Sequence, residues 1–254
     1  MTVMATPPRH GTMRSLLGSL IGRDDAIAAL EFGLIAPVVI YTLLAATDAT
    51  NALIVARHLT NAADTIAELA SQQTSGGLIT GTMTDAEVTT DFNSIITTLP
   101  DILSDASIRK VNWQSDIQAI VSSVTFSSKP GQNCAPPTAG SGNATCNVTV
   151  NWSVGFSNTR TCGLNTMTYG GSASSKGGSD VVDPSLTTIP PTLFSPGTII
   201  VVDLIYAFNP SFTAWIAGPL TFERAAYLPP RFFTQLAYAP GPASSPALTH
   251  CTFP

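Results

Sequence analysis

The chain has 254 residues, of which 44% are hydrophobic and only 11% are charged. Typical soluble domains carry roughly 25% charged residues, so this composition argues against an ordinary cytosolic enzyme. The net charge of −5 and the absence of any basic run argue against a nucleic-acid-binding protein. Three histidines, none beside a candidate nucleophile, leave little material for acid–base catalysis, and we expect no catalytic, cofactor or metal site.

The N-terminal region combines a leader with a long apolar stretch. Residues 1–25 are interpreted as a cytoplasmic leader. Residues 26–47 follow, with Glu31 as their only charge. An α-helix of this length measures about 30 Å, which matches the hydrocarbon core of a bilayer. We therefore predict a transmembrane helix over residues 26–47, and a single crossing because no second run of this length occurs.

Basic residues near the apolar stretch set its predicted orientation. Arg9, Arg14 and Arg23 precede the stretch, whereas only Arg57 follows it closely. This bias keeps the N-terminus cytoplasmic and places residues 48–254 outside. A cleavable secretory signal is the alternative. The long leader, the internal carboxylate and the helical sequence beyond the stretch favour a retained span.

Two helical patterns follow the apolar stretch. Apolar residues recur every three to four positions and predict an amphipathic continuation over residues 48–75, helical to about Ser71. A second helix is predicted after Thr84, because Thr84 and Glu87 match a capping box and Pro100 ends the apolar face. Both helices are expected to pack on the outer domain.

From about residue 117 the apolar period changes to two, which is typical of strands. Strands are predicted near residues 117–126, 148–156, 200–208 and 220–226. Residues 148–156 alternate strictly, which predicts a half-buried strand with one apolar face. Because no helices separate these strands, we predict an antiparallel sheet of about four strands and an extracytoplasmic α+β domain over residues 76–254.

Two segments lack a hydrophobic period. Residues 157–197 are rich in Gly, Ser, Thr and Pro, and we expect either a flexible loop or a variable binding surface there. The Pro-rich tail from Pro240 to Pro254 is expected to be ordered only where Cys251 ties it down.

The chain has four cysteines at wide spacing and no CxxC pair: Cys134, Cys146, Cys162 and Cys251. This pattern indicates two disulfides in an oxidising compartment, with free buried thiols or a metal site as alternatives. Three connectivities are possible. Loop spacing favours Cys134 with Cys146 and Cys162 with Cys251, without deciding between the three.

Two residues inside the apolar stretch are unusual for a membrane span. A carboxylate in the hydrocarbon region costs on the order of 2 to 3 kcal/mol, so Glu31 is expected to have a charged partner. The alternative is that Glu31 is protonated or reaches the cytoplasmic headgroups. Pro37 removes one backbone hydrogen bond and is expected either to kink the helix or to be tolerated there.

These features occur together in an order that resembles a known family. The order is Ala26-Ile27-Ala28-Ala29-Leu30-Glu31-Phe32, then Pro37, Asp48 and Leu59-Thr60-Asn61-Ala62-Ala63. It is similar to the N-terminal signature of the TadE-like pseudopilins of the bacterial tight-adherence pilus system. The resemblance covers about residues 22–70.

The resemblance implies a pilin-like fold in a minor subunit or assembly factor of the pilus or a related secretion apparatus. It also implies the bacterial inner membrane as location, with other pilin or pilus-assembly subunits as partners. A prepilin peptidase would cleave between Ala26 and Ile27. The new amine of Ile27 would then lie four residues before Glu31, about 6 Å along the helix and on the same face, so the two could pair within or between subunits.

Two other classes of function are weighed against this hypothesis. The first is a membrane-anchored adhesin or binding module unconnected to pili. The second is an anchored periplasmic enzyme, for which the outward portion offers only His58 and His250 as histidines.

Overall fold

The computed structural model describes residues 24–72, 74–75, 78–79, 81–136, 145–169, 186–213, 218–241 and 247–253. The leader expected over residues 1–25 therefore lies outside the described residues, apart from its last two. The chain divides into two compact units, Met1–Thr50 and Asn51–Pro254. Each unit is described by itself below.

The first element is a long helix, α1, which spans Asp24–Gln72 and contains Pro37. It ends one residue beyond the Ser71 boundary expected from the apolar period. Its part in the second unit is amphipathic, with a buried stripe at every third or fourth position. The stripe consists of Ala52, Val55, Leu59, Ala62, Ala63, Ile66, Ala67 and Ala70.

Short strands and three helices follow α1. They are β1 Thr74–Ser75, β2 Leu78–Ile79, β3 Thr82–Thr84, α2 Asp85–Thr98, α3 Asp101–Arg109 and α4 Trp113–Asp116. At the start of α2 the Glu87 carboxylate accepts hydrogen bonds from the backbone N–H and the hydroxyl of Thr84, at 2.8 and 2.9 Å. This is the predicted helix start. Neither α3 nor α4 was predicted. Pro100 ends the α2 pattern and also forms the N-cap of α3.

Nine further strands follow in the described residues: β4 Ile117–Ser128, β5 Cys146–Gly155, β6 Gly163–Leu164, β7 Thr168–Tyr169, β8 Thr188–Ile189, β9 Gly197–Phe208, β10 Leu220–Leu228, β11 Ala237–Ala239 and β12 Thr249–Thr252. The main sheet is antiparallel and has the order β10, β9, β4, β5, β12, with β6 also paired to β5. Its four longest strands occur where the apolar period predicted them. The described residues also form three short pairs, with β1 antiparallel to β2, β7 parallel to β8 and β11 parallel to β3.

Strand β5, which lies between β4 and β12, differs from the prediction of a single buried face. Its pairing with β4 skips Asn151, which is the extra residue of a β-bulge. Val148 and Val150 precede the bulge and belong to one core, whereas Trp152 and Val154 follow it and belong to the other. The prediction was wrong because an extra residue reverses the side to which every later side chain points.

The sheet is consequently buried on both faces. Helices α1, α2 and α3 cover one face, where their apolar residues pack on alternate residues of β4, β5 and β9. Described parts of the segment 157–197 cover the other face, where Met167, Ile189 and Phe194 pack against Phe126 and Val201. The described residues of this segment include β6, β7 and β8, and residues 170–185 lie outside the described residues.

Both disulfides lie in the second unit. Cys134 is bonded to Cys146, and Cys162 is bonded to Cys251, which uses all four cysteines. This is the pairing that loop spacing favoured. The second bond ties the segment after β5 to β12, so the end of the chain is held both covalently and by its pairing with β5.

Candidate functional site: the apolar half of the first helix

The first half of α1 exposes large apolar side chains. The most apolar window of 18 residues in this helix has a mean hydropathy of 1.8, and 0% of it is buried. A core helix of a soluble protein has comparable hydropathy but buries it, so the exposed surface is the informative observation. The helix is long and apolar enough to span a membrane. The exposed residues are Leu30, Phe32, Leu34, Ile35, Val38, Val39, Ile40 and Leu43.

Glu31 is an exposed carboxylate at the beginning of this apolar surface. The backbone is helical at both residues of the predicted cleavage bond, Ala26 and Ile27, and at Glu31 and Phe32. Glu31 lies four positions after Ile27 in the helix, which is about 6 Å of rise along the same face. Within the part of the chain that the structure describes, the ion pairs are formed by residues other than Glu31.

Pro37 lies inside the helix, at the centre of the exposed apolar residues. Because proline has no backbone N–H, it cannot donate to the carbonyl of Gly33, four residues earlier. The space where a Gly33 side chain would begin contains no other atom within 4 Å. The Gly33 carbonyl therefore lacks the usual backbone donor four residues later, and Gly33 has no side chain to add bulk at this point of the helix.

Three threonines near the end of the apolar half donate hydrogen bonds from their hydroxyl groups to backbone carbonyls of the same helix. The hydroxyls of Thr42, Thr47 and Thr50 donate to the carbonyls of Val39, Leu44 and Ala46, at 2.9, 2.7 and 2.8 Å. A hydroxyl bonded to its own helix does not need water, so these residues are compatible with an apolar environment.

The second unit contains a buried ion pair that sequence reasoning missed. Arg160 and Asp203 are both buried, and two N–H groups of the guanidinium donate to the two carboxylate oxygens at 2.7 Å each. Burial raises the pKa of the Asp203 carboxyl, and the Arg160 charge opposes that shift. The available signal was Asp203 itself, an acid inside a strand that is apolar on both sides.

A cavity of about 310 Å³ opens in the second unit between the start of its α1 segment, α3 and the end of β9. Asp105 lines it and accepts hydrogen bonds from the Tyr206 hydroxyl and from Arg109, each at 2.8 Å. Arg109 also contacts Asp116 at 2.5 Å. Burial and the hydrogen bond to Asp105 raise the pKa of Tyr206. Among the described residues, no group of three or more His, Cys, Asp or Glu could hold a metal ion.

Comparison with known proteins returned no match to a family model, to a curated protein or to a solved structure. The resemblance of residues 22–70 to the TadE-like signature therefore rests on those residues alone.

Proposed function

We propose that this chain is a single-pass, TadE-like minor pseudopilin or assembly factor of a tight-adherence pilus or related secretion apparatus. Its N-terminus faces the cytoplasm, and its disulfide-containing α+β domain lies outside the inner membrane. It works by helix packing and subunit contacts and not by catalysis. The observation that carries the proposal is the exposed apolar half of α1 with Glu31 as its carboxylate.

The carboxylate separates this proposal from that of a simple membrane anchor. An anchor needs only an apolar helix, and an acid in its hydrocarbon region costs on the order of 2 to 3 kcal/mol. A free amine at Ile27, created by cleavage after Ala26, would offset that cost by pairing with Glu31 in the same or an adjacent subunit. Once the pair is buried, loss of one partner costs about 3 to 5 kcal/mol.

The second half of α1 supports a role in assembly because the outer domain holds it firmly. Arg224 Nε donates to the Thr60 hydroxyl at 3.2 Å. At the end of the helix the Arg231 backbone N–H donates to the carbonyl of Ser71 at 3.0 Å, and the Arg231 side chain is paired with Glu68. The second half of α1 is therefore part of the folded domain.

The N-terminal sequence of the mature protein tests the route of processing. A start at Ile27 is expected for a pseudopilin cut by a prepilin peptidase. An intact leader would favour the alternative, an anchored adhesin or binding module unconnected to pili. A start near Thr47 or Asp48 would mean secretion after removal of a signal sequence and would overturn the membrane-anchored proposal.

Replacing the carboxylate tests the role in assembly. Glu31→Ala and Glu31→Gln are expected to abolish co-purification with the partner subunits while membrane insertion stays unchanged or improves. Asp64→Asn is the matched control, because Asp64 is an exposed acid in the other half of the same helix. Normal incorporation of the Glu31→Ala protein into the assembled complex would contradict the proposal.

A further inference from the structure

Two separate segments of the chain cover the outer edge of β5. Strand β6 pairs with residues 149–150 of this edge, and β12 pairs with residues 152–155. Between them, the backbone N–H of Phe253 donates to the carbonyl of Asn151 at 2.7 Å. The disulfide between Cys162 and Cys251 joins the two covering segments, because Cys162 directly precedes β6 and Cys251 lies in β12.

The segment that carries Cys162 is also held by contacts other than the disulfide. On one side of Cys162, the Arg160 guanidinium is paired with buried Asp203, and the Arg160 backbone N–H donates to a serine hydroxyl of β5 at 2.9 Å. On the other side, the backbone N–H of Asn165 donates to the Val148 carbonyl, and the Val148 N–H donates to Asn165 Oδ1, at 2.6 and 3.0 Å. This segment is therefore expected to keep its place without the disulfide.

Strand β12 has much weaker support. All four of its side chains are exposed or partly exposed, and Phe253 directly after it is 44% exposed. Leu248, directly before the strand, is partly buried against the core, and the exposed His250 ring lies 5.8 Å from the ring of Tyr238. Since burial of apolar surface is the main force that stabilises a fold, β12 depends on its backbone hydrogen bonds and on Cys251.

The two disulfides differ in their access to solvent. Cys162 and Cys251 are both partly exposed, whereas Cys134 and Cys146 are buried, with exposed fractions of 8% and 2%. Reduction of a disulfide requires that an attacking thiolate reaches one of its sulfur atoms. A reductant in solution is therefore expected to reach the bond at β12 before it reaches the buried one.

We propose that the Cys162–Cys251 disulfide is a redox-sensitive latch, whose reduction releases β12 and opens the β5 edge at residues 151–155. The reductant is a dithiol. One of its thiolates attacks a sulfur of the disulfide and displaces the other cysteine, and its second thiol then displaces the first cysteine. Cys162 and Cys251 end as thiols that carry the two protons of the dithiol, which ends as a cyclic disulfide.

Opening of the latch changes one edge of the sheet and leaves the rest of the domain folded. The backbone groups of residues 151–155 that face β12 lose their partners, while β6 and the Arg160–Asp203 pair remain in place. The inference concerns the outer domain alone and does not depend on whether α1 spans a membrane.

The rates at which the two disulfides are reduced provide the first test. The full-length protein in detergent is treated with dithiothreitol, and free thiols are alkylated at intervals and identified by mass spectrometry. Alkylation of Cys162 and Cys251 is expected to be at least about tenfold faster than that of Cys134 and Cys146, because the buried bond must first become exposed by local opening. Equal rates, or faster reduction of the buried bond, would overturn the inference.

Amide hydrogen exchange provides the second test, on protein in which only the Cys162–Cys251 bond is reduced and alkylated. The amides of residues 249–253, and those of residues 151–155 that face them, are expected to exchange at least about tenfold faster than in the oxidised protein. The amides of residues 163–165 should keep their rates. Protection of β12 that survives reduction would overturn the inference. A loss of protection throughout the domain would also overturn it, because the disulfide would then support the whole fold.

A pair of cysteine variants provides the matched control. Without any reductant, Cys162→Ser/Cys251→Ser is expected to reproduce the fast exchange at β12, whereas Cys134→Ser/Cys146→Ser should leave β12 as protected as in the unchanged protein. Equal loss of β12 protection in both double variants would contradict a latch specific to Cys162 and Cys251. If the first variant does not fold, the selectively reduced native protein still decides the question.

Discussion

The two halves of helix α1 are both rich in apolar residues and yet expose them in different ways. Between Leu30 and Leu43 large apolar side chains are exposed around the helix. From Ala52 to Ala70 a stripe of apolar residues is buried, although Leu53, Ile54 and Leu69 outside the stripe are exposed. A helix that is apolar all round suits lipid, and one with a single stripe suits the surface of a folded domain. The distribution of apolar residues around the helix, and not their number, therefore decides what the helix contacts.

The largest expected effect is a loss of stability of the outer domain, caused by a substitution outside helix α1. Arg160→Met leaves Asp203 buried without its cation, which is expected to destabilise the domain by about 3 to 5 kcal/mol. The free energy of unfolding, measured by denaturant titration in detergent, checks this. The double variant Arg160→Met/Asp203→Leu is expected to recover most of the loss. Membrane insertion of the apolar half should be unchanged in both variants, and a loss of insertion would contradict the separation of the two regions.

A pair of identical substitutions tests the two halves directly. Ile66 is fully buried on the stripe, and Ile40 is exposed in the apolar half. Ile66→Ala is expected to cost about 2 to 5 kcal/mol of unfolding free energy, because it removes buried methyl groups and leaves a cavity. Ile40→Ala is expected to leave that free energy unchanged. Fluorescence of the buried Trp152, in the core that contains Ile66, reports the transition. Equal losses in the two variants would contradict the comparison.

The smallest effect, per pH unit, is a pH dependence of the stability of the outer domain. Burial, with a further contribution from the Glu87 carboxylate, raises the pKa of Asp91 in α2 from 3.8 to about 7. The folded protein then binds more protons than the unfolded chain between about pH 4 and 7, so its stability falls as the pH rises through this window. The slope from this group is at most about 1.4 kcal/mol per pH unit.

Unfolding free energies at several pH values between 4 and 8 check this expectation. Asp91→Asn is expected to flatten the dependence, whereas the exposed Asp64→Asn should leave it as in the unchanged protein. A slope that survives in the Asp91→Asn protein would assign the pH dependence to other groups.

Local signals predicted a large part of this fold. The capping box at Thr84 and Glu87 involves residues three apart, and the helix start is where the sequence indicated it. The strands β5 and β9 were predicted because apolar residues recur at every second position of their sequences. The helix α3 was missed because Pro100 was interpreted only as a stop, although proline is also favoured at the beginning of a helix.

Features that depend on distant residues could not be predicted in the same way. The bulge at Asn151 depends on how β5 aligns with β4, and nothing within residues 148–156 interrupts their alternation. The partner of Asp203 lies 43 positions away in the sequence. Its position, in a segment rich in Gly, Ser and Pro, resembled a loop more than a structural element.

The features of the candidate site likewise divide into those that the local sequence predicts and those that depend on distant residues. The sequence by itself determined the apolar half of α1, its one carboxylate and the four cysteines, because hydropathy and charge are properties of the residues themselves. Only the tertiary structure decided which apolar residues are covered and which cysteines pair. Those outcomes depend on contacts between residues far apart in the chain, and no local pattern encodes them.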